Sequence, residues 1–260
     1  MVAVLDHGSV ELVEYWGADE RIIEAARMST AKGFLGWGPV DCPRCVGVNG
    51  SPSPDCVCPK CGGTCSVPGD EKLLRYLWEH GHSTPFEMAG ATFEVQAPIF
   101  VFREWHRHRT QSYSELSARY TPLPDVNYLP TVDRMLIPGG KNKQAQAVSP
   151  VDGTPATEDQ LRVSFGEWQL QLRDLYARAQ HVYEQGLLRG VPKELARLAV
   201  PVGRYSRMRA SANLRNWLGF LKLRMDAGAQ WEIRQYAGAV HSALSAAFPR
   251  TLALFDEGRA

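Results

Sequence analysis

All six cysteines of the 260-residue chain lie between Cys42 and Cys65, and this clustering constrains the local fold more than any other feature of the sequence. Four of them form two Cys-x-x-Cys pairs separated by twelve residues, Cys42 with Cys45 and Cys58 with Cys61. Each pair can place two thiolates on one ion, and two pairs complete a tetrahedral zinc site. The sequence therefore predicts a structural zinc with these four ligands, while Cys56 and Cys65 stay open as alternative ligands.

Residues 36–69 contain these cysteines together with many Gly, Pro and Ser residues and few aliphatic side chains. We expect them to form an insert with its own small structure around the metal. Two other interpretations stay open, a redox-active dithiol pair and a zinc-ribbon module that binds nucleic acid. Arg44 and Lys60 support the second only weakly.

The composition excludes several classes of protein. The net charge is +1, so no general attraction to nucleic acid or membrane surfaces is expected. No apolar run approaches the roughly 20 residues that span a bilayer, and the first residues do not resemble a signal peptide. A cytoplasmic protein is therefore predicted, and in this reducing compartment cysteines so clustered favour metal binding over disulfides.

Periodicity outside the insert predicts strands at Val10–Tyr15 and Ala91–Val95 and several amphipathic helices. One helix follows Asp19, which is expected to cap it, and continues to about Met28. The other helices are predicted at Glu71–His80, Asn213–Asp226 and Gln230–Ala247. Thr84 is expected to be extended because Pro85 follows it. Pro138–Ala156 is predicted to be a mobile surface loop.

The longest predicted helix begins at Thr157, which forms a capping-box pattern with Gln160, and is expected to stop near Gly186. Its apolar residues are spaced three and four apart, from Leu161 to Val182. This stripe predicts packing against the core or another subunit, and a free coiled coil is the weaker alternative.

A charged segment follows the apolar run Ala97–Phe102. It contains Arg107-His108-Arg109 and, after seven residues, Ser117, which is flanked by Glu115 and Arg119. Arginine donors fit phosphate oxygens, so the segment is a candidate phosphate site. The alternative is a solvated basic face beside a core strand. Arg224, at the border of another apolar helix face, is expected to bind either a carboxylate partner or a ligand phosphate.

Other chemical motifs are weak or missing in the sequence. The pair His80 and His82 gives only slight support for a second metal site. The chain has no Gly-x-Gly-x-x-Gly after a strand, no Walker loop and no Gly-x-Ser-x-Gly elbow, so these nucleotide and hydrolase sites are not predicted.

Six segments together resemble, in the same order, the sequence blocks of the flavin-dependent thymidylate synthases. The segments are Ala25–Ser29, Gly81–Glu87, Arg107–Arg109 with Ser117, Glu194–Arg197, Asn213–Arg215 with Arg224, and Ala229–Arg234. The resemblance implies an α/β (α+β) fold with a mostly antiparallel sheet, long helices and a zinc-ribbon-like insert. It also implies a homotetramer that binds FAD and methylates dUMP to dTMP, with methylenetetrahydrofolate as carbon donor and NADPH as reductant.

The resemblance assigns roles to matching residues. The implied flavin contacts are Ser29, His82, Thr84, Arg107, His108, Arg109, Glu115 and Asn213. The implied dUMP contacts are Glu104, Arg107, Glu115, Ser117, Ala118, Arg119, Arg197 and Arg224. Among these, Arg107, Ser117 and Arg224 are the implied catalytic residues. Ser117 has no evident base in the sequence, so we expect it to donate a hydrogen bond to substrate and not to act as a nucleophile.

Two positions depart from the family pattern. Ser114 stands where the family often has Asn, and Gly228 stands where many members have His. A flavin-binding oxidase that has lost methylation is therefore one alternative, and a nucleic-acid-binding zinc protein on the same scaffold is another.

Overall fold

The structure is a computed structural model that describes residues 1–42, 44–45, 58–137 and 156–259. Most of the predicted loop Pro138–Ala156 and Cys56 lie outside the described residues. The chain divides into two compact units. The first contains residues 1–13, 92–211 and 219–240, and the second contains residues 14–91, 212–218 and 241–260.

A five-stranded sheet forms the centre of the first unit. Its strands are β1 (Val2–Val4), β2 (Gly8–Trp16), β5 (Gly90–Pro98), β6 (Ser112–Glu115) and β7 (Tyr205–Asn213), in the order β1-β2-β5-β7-β6. The β1–β2 and β6–β7 pairs are antiparallel. The predicted α/β class and antiparallel sheet are confirmed, and both predicted strands lie within longer ones, β2 and β5.

Several helices belong to the first unit. They are α4 (Ile99–Trp105), α5 (Val132–Leu136), α6 (Glu158–Leu188), α7 (Lys193–Ala196), the second half of α8 (Leu214–Arg224) and most of α9 (Trp231–Ala247). The core is aromatic: the Trp105 ring lies 4.6 Å from the Phe220 ring and 6.5 Å from the Tyr236 ring, between centroids. All three side chains are buried. Burial of apolar side chains is the largest favourable contribution to the free energy of folding.

Helix α6 confirms one prediction and corrects another. Thr157 caps it and Gln160 completes the capping box. The predicted stop at Gly186 is wrong, because the helix continues to Leu188 and the left-handed Gly190 follows two residues later. A glycine in a helix interior lowers stability without ending the helix, whereas a glycine at positive φ ends it.

The second unit contains α1 (Asp19–Arg27), α2 (Glu71–Glu79), α3 (Ser83–Glu87), α10 (Pro249–Glu257) and a short hairpin of β3 (Val40–Asp41) and β4 (Ser66–Val67). The predicted capping of α1 by Asp19 is wrong, since the N-cap is Ala18. Asp19 is buried and accepts hydrogen bonds from the backbone N–H groups of Arg250 and Thr251 at 2.8 and 3.2 Å. It therefore caps α10, a helix that the sequence analysis did not predict.

Thr84 also differs from its prediction. It lies inside α3 and is not extended. Pro85 occupies the first turn of this helix, where a missing N–H leaves no hydrogen bond unmade, so the proline is tolerated there.

Within the described residues, no helix is both long and apolar enough to cross a membrane.

Candidate functional site

The Arg107-His108-Arg109 segment lies in a tight turn after α4. The turn is closed by backbone hydrogen bonds from His108 to Trp105 at 3.0 Å and from Gln111 to His108 at 3.2 Å. The Tyr113 hydroxyl donates to the carbonyl oxygens of Trp105 and His108 at 3.1 and 2.7 Å. The core strand β5 ends at Pro98 and residues 99–105 form α4, so the basic segment follows a helix, and its role as a phosphate site stays a prediction.

Arg224 forms a cluster with this turn. Its Nη1 donates to Glu104 Oε2 and its Nη2 to the Glu104 carbonyl oxygen, both at 2.8 Å, and its Nε donates to His108 Nε2 at 2.9 Å. The Arg224 side chain is 15% exposed. The sequence left two partners open for Arg224, a carboxylate and a ligand phosphate, and the structure contains the carboxylate, that of Glu104. A guanidinium has five N–H donors, so three are used here and two remain for a ligand.

The cluster keeps His108 neutral at physiological pH. Burial, followed by the positive charge of Arg224, lowers the pKa of His108 to about 4, against the opposite effect of Glu104. Geometry leads to the same state independently, since Nε2 accepts a hydrogen bond from a permanently charged arginine and so carries no proton. Neutral His108 therefore has its proton on Nδ1. Burial also raises the pKa of Tyr113 to about 12, so this hydroxyl stays protonated and remains a donor.

Arg107 and Arg109 are exposed beside this cluster. Neither forms an ion pair with any residue in the described parts of the chain. Exposed guanidinium groups without a carboxylate partner are suited to bind phosphate oxygens in pairs.

A cleft of about 290 Å³ lies next to the charged segment. Four of the predicted dUMP contacts line it, namely Glu115, Ser117, Ala118 and Arg197. The remaining lining residues were not predicted: Ile99, Leu116, Leu123, Val200 and Ser206. The cleft thus combines apolar walls with a cation, a carboxylate and hydroxyl groups, which is the usual composition of a small-molecule site.

Arg119 does not line this cleft. Its Nε donates to Glu194 Oε2 at 3.2 Å, and both side chains are more than half exposed. Exposed ion pairs of this kind stabilise proteins little, so Arg119 can exchange Glu194 for a ligand at small cost.

The other predicted flavin contacts lie in the second unit. Ser29 belongs to an exposed 3-10 turn, residues 28–30, and donates to the Ala26 carbonyl oxygen at 3.2 Å. His82 and Thr84 are exposed at the start of α3, and the His82 ring lies 5.6 Å from the Tyr76 ring. Asn213 accepts from the Asn216 N–H at 2.9 Å and so caps α8. The cap uses one of the two lone pairs of this oxygen, so the second lone pair and the NH₂ group can both contact a ligand.

The two positions that depart from the family pattern, Ser114 and Gly228, are exposed. Ser114 is exposed on β6 opposite Arg209. Gly228 is exposed and its N–H donates to Asp226 Oδ1 at 2.7 Å. A side chain added at Gly228 would meet only that oxygen at 3.1 Å, so the fold does not require glycine there.

The predicted metal ligands come together in the second unit. The sulfur atoms of Cys42, Cys45, Cys58 and Cys61 all lie within 4.8 Å of one another. Two of the separations are 3.9 Å (Cys42 to Cys58) and 3.3 Å (Cys45 to Cys61). Tetrahedral zinc with Zn–S bonds of about 2.3 Å requires sulfurs about 3.8 Å apart. The described residues contain no other cluster of this kind, so His80 and His82 gain no support as a metal site.

The chain is similar to known proteins over most of its length. The family model described as "Thymidylate synthase complementing protein" matches residues 11–250. A flavin-dependent thymidylate synthase of Thermus thermophilus is 35% identical over 98% of this chain and 78% of its own length. The one of Rickettsia typhi is 32% identical over 99% and 79%.

Among solved structures, the UMP/dUMP methylase PolB from Streptomyces cacaoi, bound with 5-Br dUMP, is similar. It superimposes with a TM-score of 0.71 at 28% identity, covering 98% of this chain and 97% of the other. Its complex with 5-Br UMP gives a TM-score of 0.70.

Proposed function

The chain belongs to the flavin-dependent thymidylate synthase family, and we propose that it methylates dUMP to dTMP with a bound flavin. One observation carries this proposal. Residues predicted to contact dUMP from two distant parts of the sequence line a single cleft, namely Glu115, Ser117 and Ala118 from one part and Arg197 from the other. The names of the relatives and the nucleotide-bound structural neighbour support the same reaction.

The cleft has groups that complement a nucleotide. Arg197 and the hydroxyl of Ser117 are donors suited to the phosphate of dUMP. Glu115, an acceptor when ionised, suits a sugar hydroxyl or the N–H of the pyrimidine. Leu116 and Ile99 provide apolar surface for the flat faces of sugar and base.

Arg107, Ser117 and Arg224 are the three proposed catalytic residues. The ring carbon that receives the methyl group becomes nucleophilic only if negative charge on the pyrimidine is stabilised. Arg224 is oriented by Glu104 and His108, so its two remaining N–H donors are held in place before substrate binds. Such preorganised donors stabilise developing charge without reorganisation.

The residues proposed to contact the flavin carry hydrogen-bond donors and positive charges that suit its acceptor groups. Arg107 and Arg109 are suited to the diphosphate of FAD, and neutral His108, Ser29, His82, Thr84, Asn213 and Glu115 are the further proposed contacts. Bound flavin supplies the hydride that no side chain can provide. We propose NADPH as the reductant and methylenetetrahydrofolate as the carbon donor, on the support of the family alone.

The four-cysteine cluster is proposed to hold one zinc ion with a structural role. All four ligand positions are occupied by thiolates, so no coordination position is open for catalysis. We keep the proposal that residues 36–69 are a metal-ordered insert in a 260-residue synthase domain. The cytoplasm, where thiolates remain reduced, is the proposed location.

A homotetramer is the proposed assembly, and α6 supports it. This 31-residue helix has one buried residue, Tyr183, in the single chain. Trp168, Leu175 and Val182 of its predicted stripe are about half exposed. An apolar face of this length requires a partner, and a second copy of the chain satisfies that requirement.

NADPH oxidation tests the proposal against the oxidase alternative. With flavin and methylenetetrahydrofolate present, a synthase oxidises NADPH faster when dUMP is added and forms one dTMP per productive turnover. An oxidase consumes NADPH at a rate that dUMP does not change. Oligonucleotide binding that weakens steeply with salt, without dTMP formation, would instead support the nucleic-acid-binding alternative.

A further inference from the structure

The cleft contains a buried hydroxyl that the proposed chemistry has not used. Ser206 lies on β7, is 2% exposed and lines the cleft. Its Oγ has no hydrogen-bond partner among the residues that the structure describes. A buried hydroxyl without a partner destabilises the folded protein, so its position beside a cleft calls for a ligand partner.

The strand register places Ser206 next to a predicted substrate contact. In the β6–β7 pair, Ser114 lies opposite Arg209 and Glu115 opposite Met208. The Leu116 N–H then donates to the Arg207 carbonyl oxygen at 2.8 Å, which continues the ladder. Continuing this register by one more position, just beyond the end of β6, brings Ser117 opposite Ser206. Residues directly opposite in an antiparallel pair project on the same face, so both serines project toward the cleft that they line.

The lining of the cleft thus includes a cation, Arg197, and two hydroxyls, those of Ser117 and Ser206. Arg197 donates to anions, and each serine hydroxyl donates one hydrogen bond. A phosphate has three acceptor oxygens, which matches this set of donors. A serine redirects its hydroxyl by rotating about one bond, χ1, between staggered positions, so binding requires no movement of the strand.

We propose that Ser206 is a substrate-contacting residue whose hydroxyl donates to the 5′-phosphate of dUMP together with Ser117 and Arg197. The proposal rests on the proposed function, because it takes the cleft as the dUMP site. It gives Ser206 two opposite effects. The hydroxyl weakens the ligand-free fold and strengthens the nucleotide complex.

The test compares Ser206→Ala with Ser211→Ala in the full-length, flavin-bound protein. Ser211 lies on the same strand, does not line the cleft, and hydrogen-bonds with Thr92 at 3.0 Å. We expect Ser206→Ala to keep or raise the melting temperature of the nucleotide-free protein and to weaken dUMP binding about tenfold, the effect of losing one hydrogen bond to a charged group. Ser211→Ala is expected to lower the melting temperature and to leave dUMP affinity unchanged.

Competition by inorganic phosphate tests whether Ser206 contacts the phosphate group of dUMP. If Ser206 binds phosphate, the inhibition constant of inorganic phosphate against dUMP rises in Ser206→Ala by about the same factor as the dUMP dissociation constant. A phosphate constant that does not change, or wild-type protein in which phosphate does not compete, overturns the phosphate contact.

Equal dUMP affinity of Ser206→Ala and wild type overturns the proposal as a whole. Failure of the wild-type protein to bind dUMP is a different result, since it contradicts the proposed function first. If Ser206→Ala does not fold, Ser206→Cys provides the same comparison, because its side chain is of similar size and its S–H is a weak donor.

Discussion

Arg224 donates a hydrogen bond from Nε to Nε2 of His108 at 2.9 Å. This contact fixes both groups at once: the arginine is oriented and the imidazole is held neutral with its proton on Nδ1. The same guanidinium contacts Glu104 through two further hydrogen bonds. The substrate stabilisation proposed for Arg224 and the protonation state of His108, a proposed flavin contact, therefore depend on the same hydrogen bond.

Replacing Arg224 should impair catalysis more than folding. Arg224→Lys keeps a positive charge but cannot make the three directed hydrogen bonds. We expect a loss of kcat of about 10²-fold or more, as for removal of one preorganised donor. Arg215→Lys is the matched control, because Arg215 forms an exposed ion pair with Glu87. Steady-state kinetics that show equal losses for the two variants would contradict the role of Arg224.

His108 should resist protonation. Its pKa is lowered to about 4, below the ordinary value of about 6.5, so the folded protein binds fewer protons than the unfolded chain between these pH values. The contribution of this lowered pKa to the stability of the fold is complete above about pH 6.5 and is lost as the pH falls toward 4. NMR titration of the His108 ring should show a midpoint well below 6, and Arg224→Ala should raise it. A midpoint near 6.5 in the wild-type protein would be inconsistent with the cluster.

Asp19→Asn should destabilise the second unit. The buried carboxylate accepts from the Arg250 N–H, the Thr251 N–H and the Thr251 hydroxyl. An amide has one acceptor oxygen and places N–H donors where acceptors are needed, so we expect a loss of about 1–3 kcal/mol in the free energy of unfolding. Denaturant titration measures it. Asp159→Asn, at an exposed position in the first turn of α6, should cost less than about 1 kcal/mol.

The purified protein should contain one zinc per chain. Cys42→Ser should lose it, because Cys42 supplies one of the four clustered sulfurs. Cys65→Ser should retain it, since Cys65 lies outside that cluster. Elemental analysis measures the metal, and chelation should lower the melting temperature of wild-type protein and of Cys65→Ser but not that of Cys42→Ser. Zinc retained by Cys42→Ser, or lost equally by both variants, would show that the ligand set is wrong.

The exposed face of α6 should hold subunits together. Trp168→Glu places a charge in an apolar face where the wild-type side chain is 47% exposed in the single chain. Sedimentation velocity should show a smaller assembly for this variant than for wild type. Glu167→Lys, next to it on the same helix, is the control for a change in charge. Identical sedimentation of Trp168→Glu and wild type would mean that this face is not an interface.

Local patterns predicted the elements whose signals are local. The capping box at Thr157, the apolar face of α8 and the paired Cys-x-x-Cys motifs are each set by residues a few positions apart, and the structure contains all three. The error at Asp19 arose where a distant partner decides the outcome, whereas those at Gly186 and Thr84 concern how a glycine or a proline is accommodated within a helix. Asp19 is the first residue of α1, but its carboxylate oxygens accept hydrogen bonds from α10, more than 230 residues later.

In the candidate site, too, local sequence signals were readable and contacts between distant residues were not. Residues 107–119 were predictable because charge and spacing are visible in the sequence. Ser206 was not, since nothing beside it in sequence indicates a cleft. Its position follows only from the pairing of β6 with β7, a contact between segments about 90 residues apart. The partner of Arg224 likewise required the structure, because Glu104 is 120 residues away.

The most direct test of the central claim is tritium release from dUMP labelled at the methyl-accepting ring carbon, with FAD, NADPH and methylenetetrahydrofolate present. The account predicts release together with dTMP formation, and predicts that both disappear when flavin is omitted from flavin-stripped protein. Protein that binds flavin and dUMP yet releases no tritium, or releases it equally without flavin, would contradict the account.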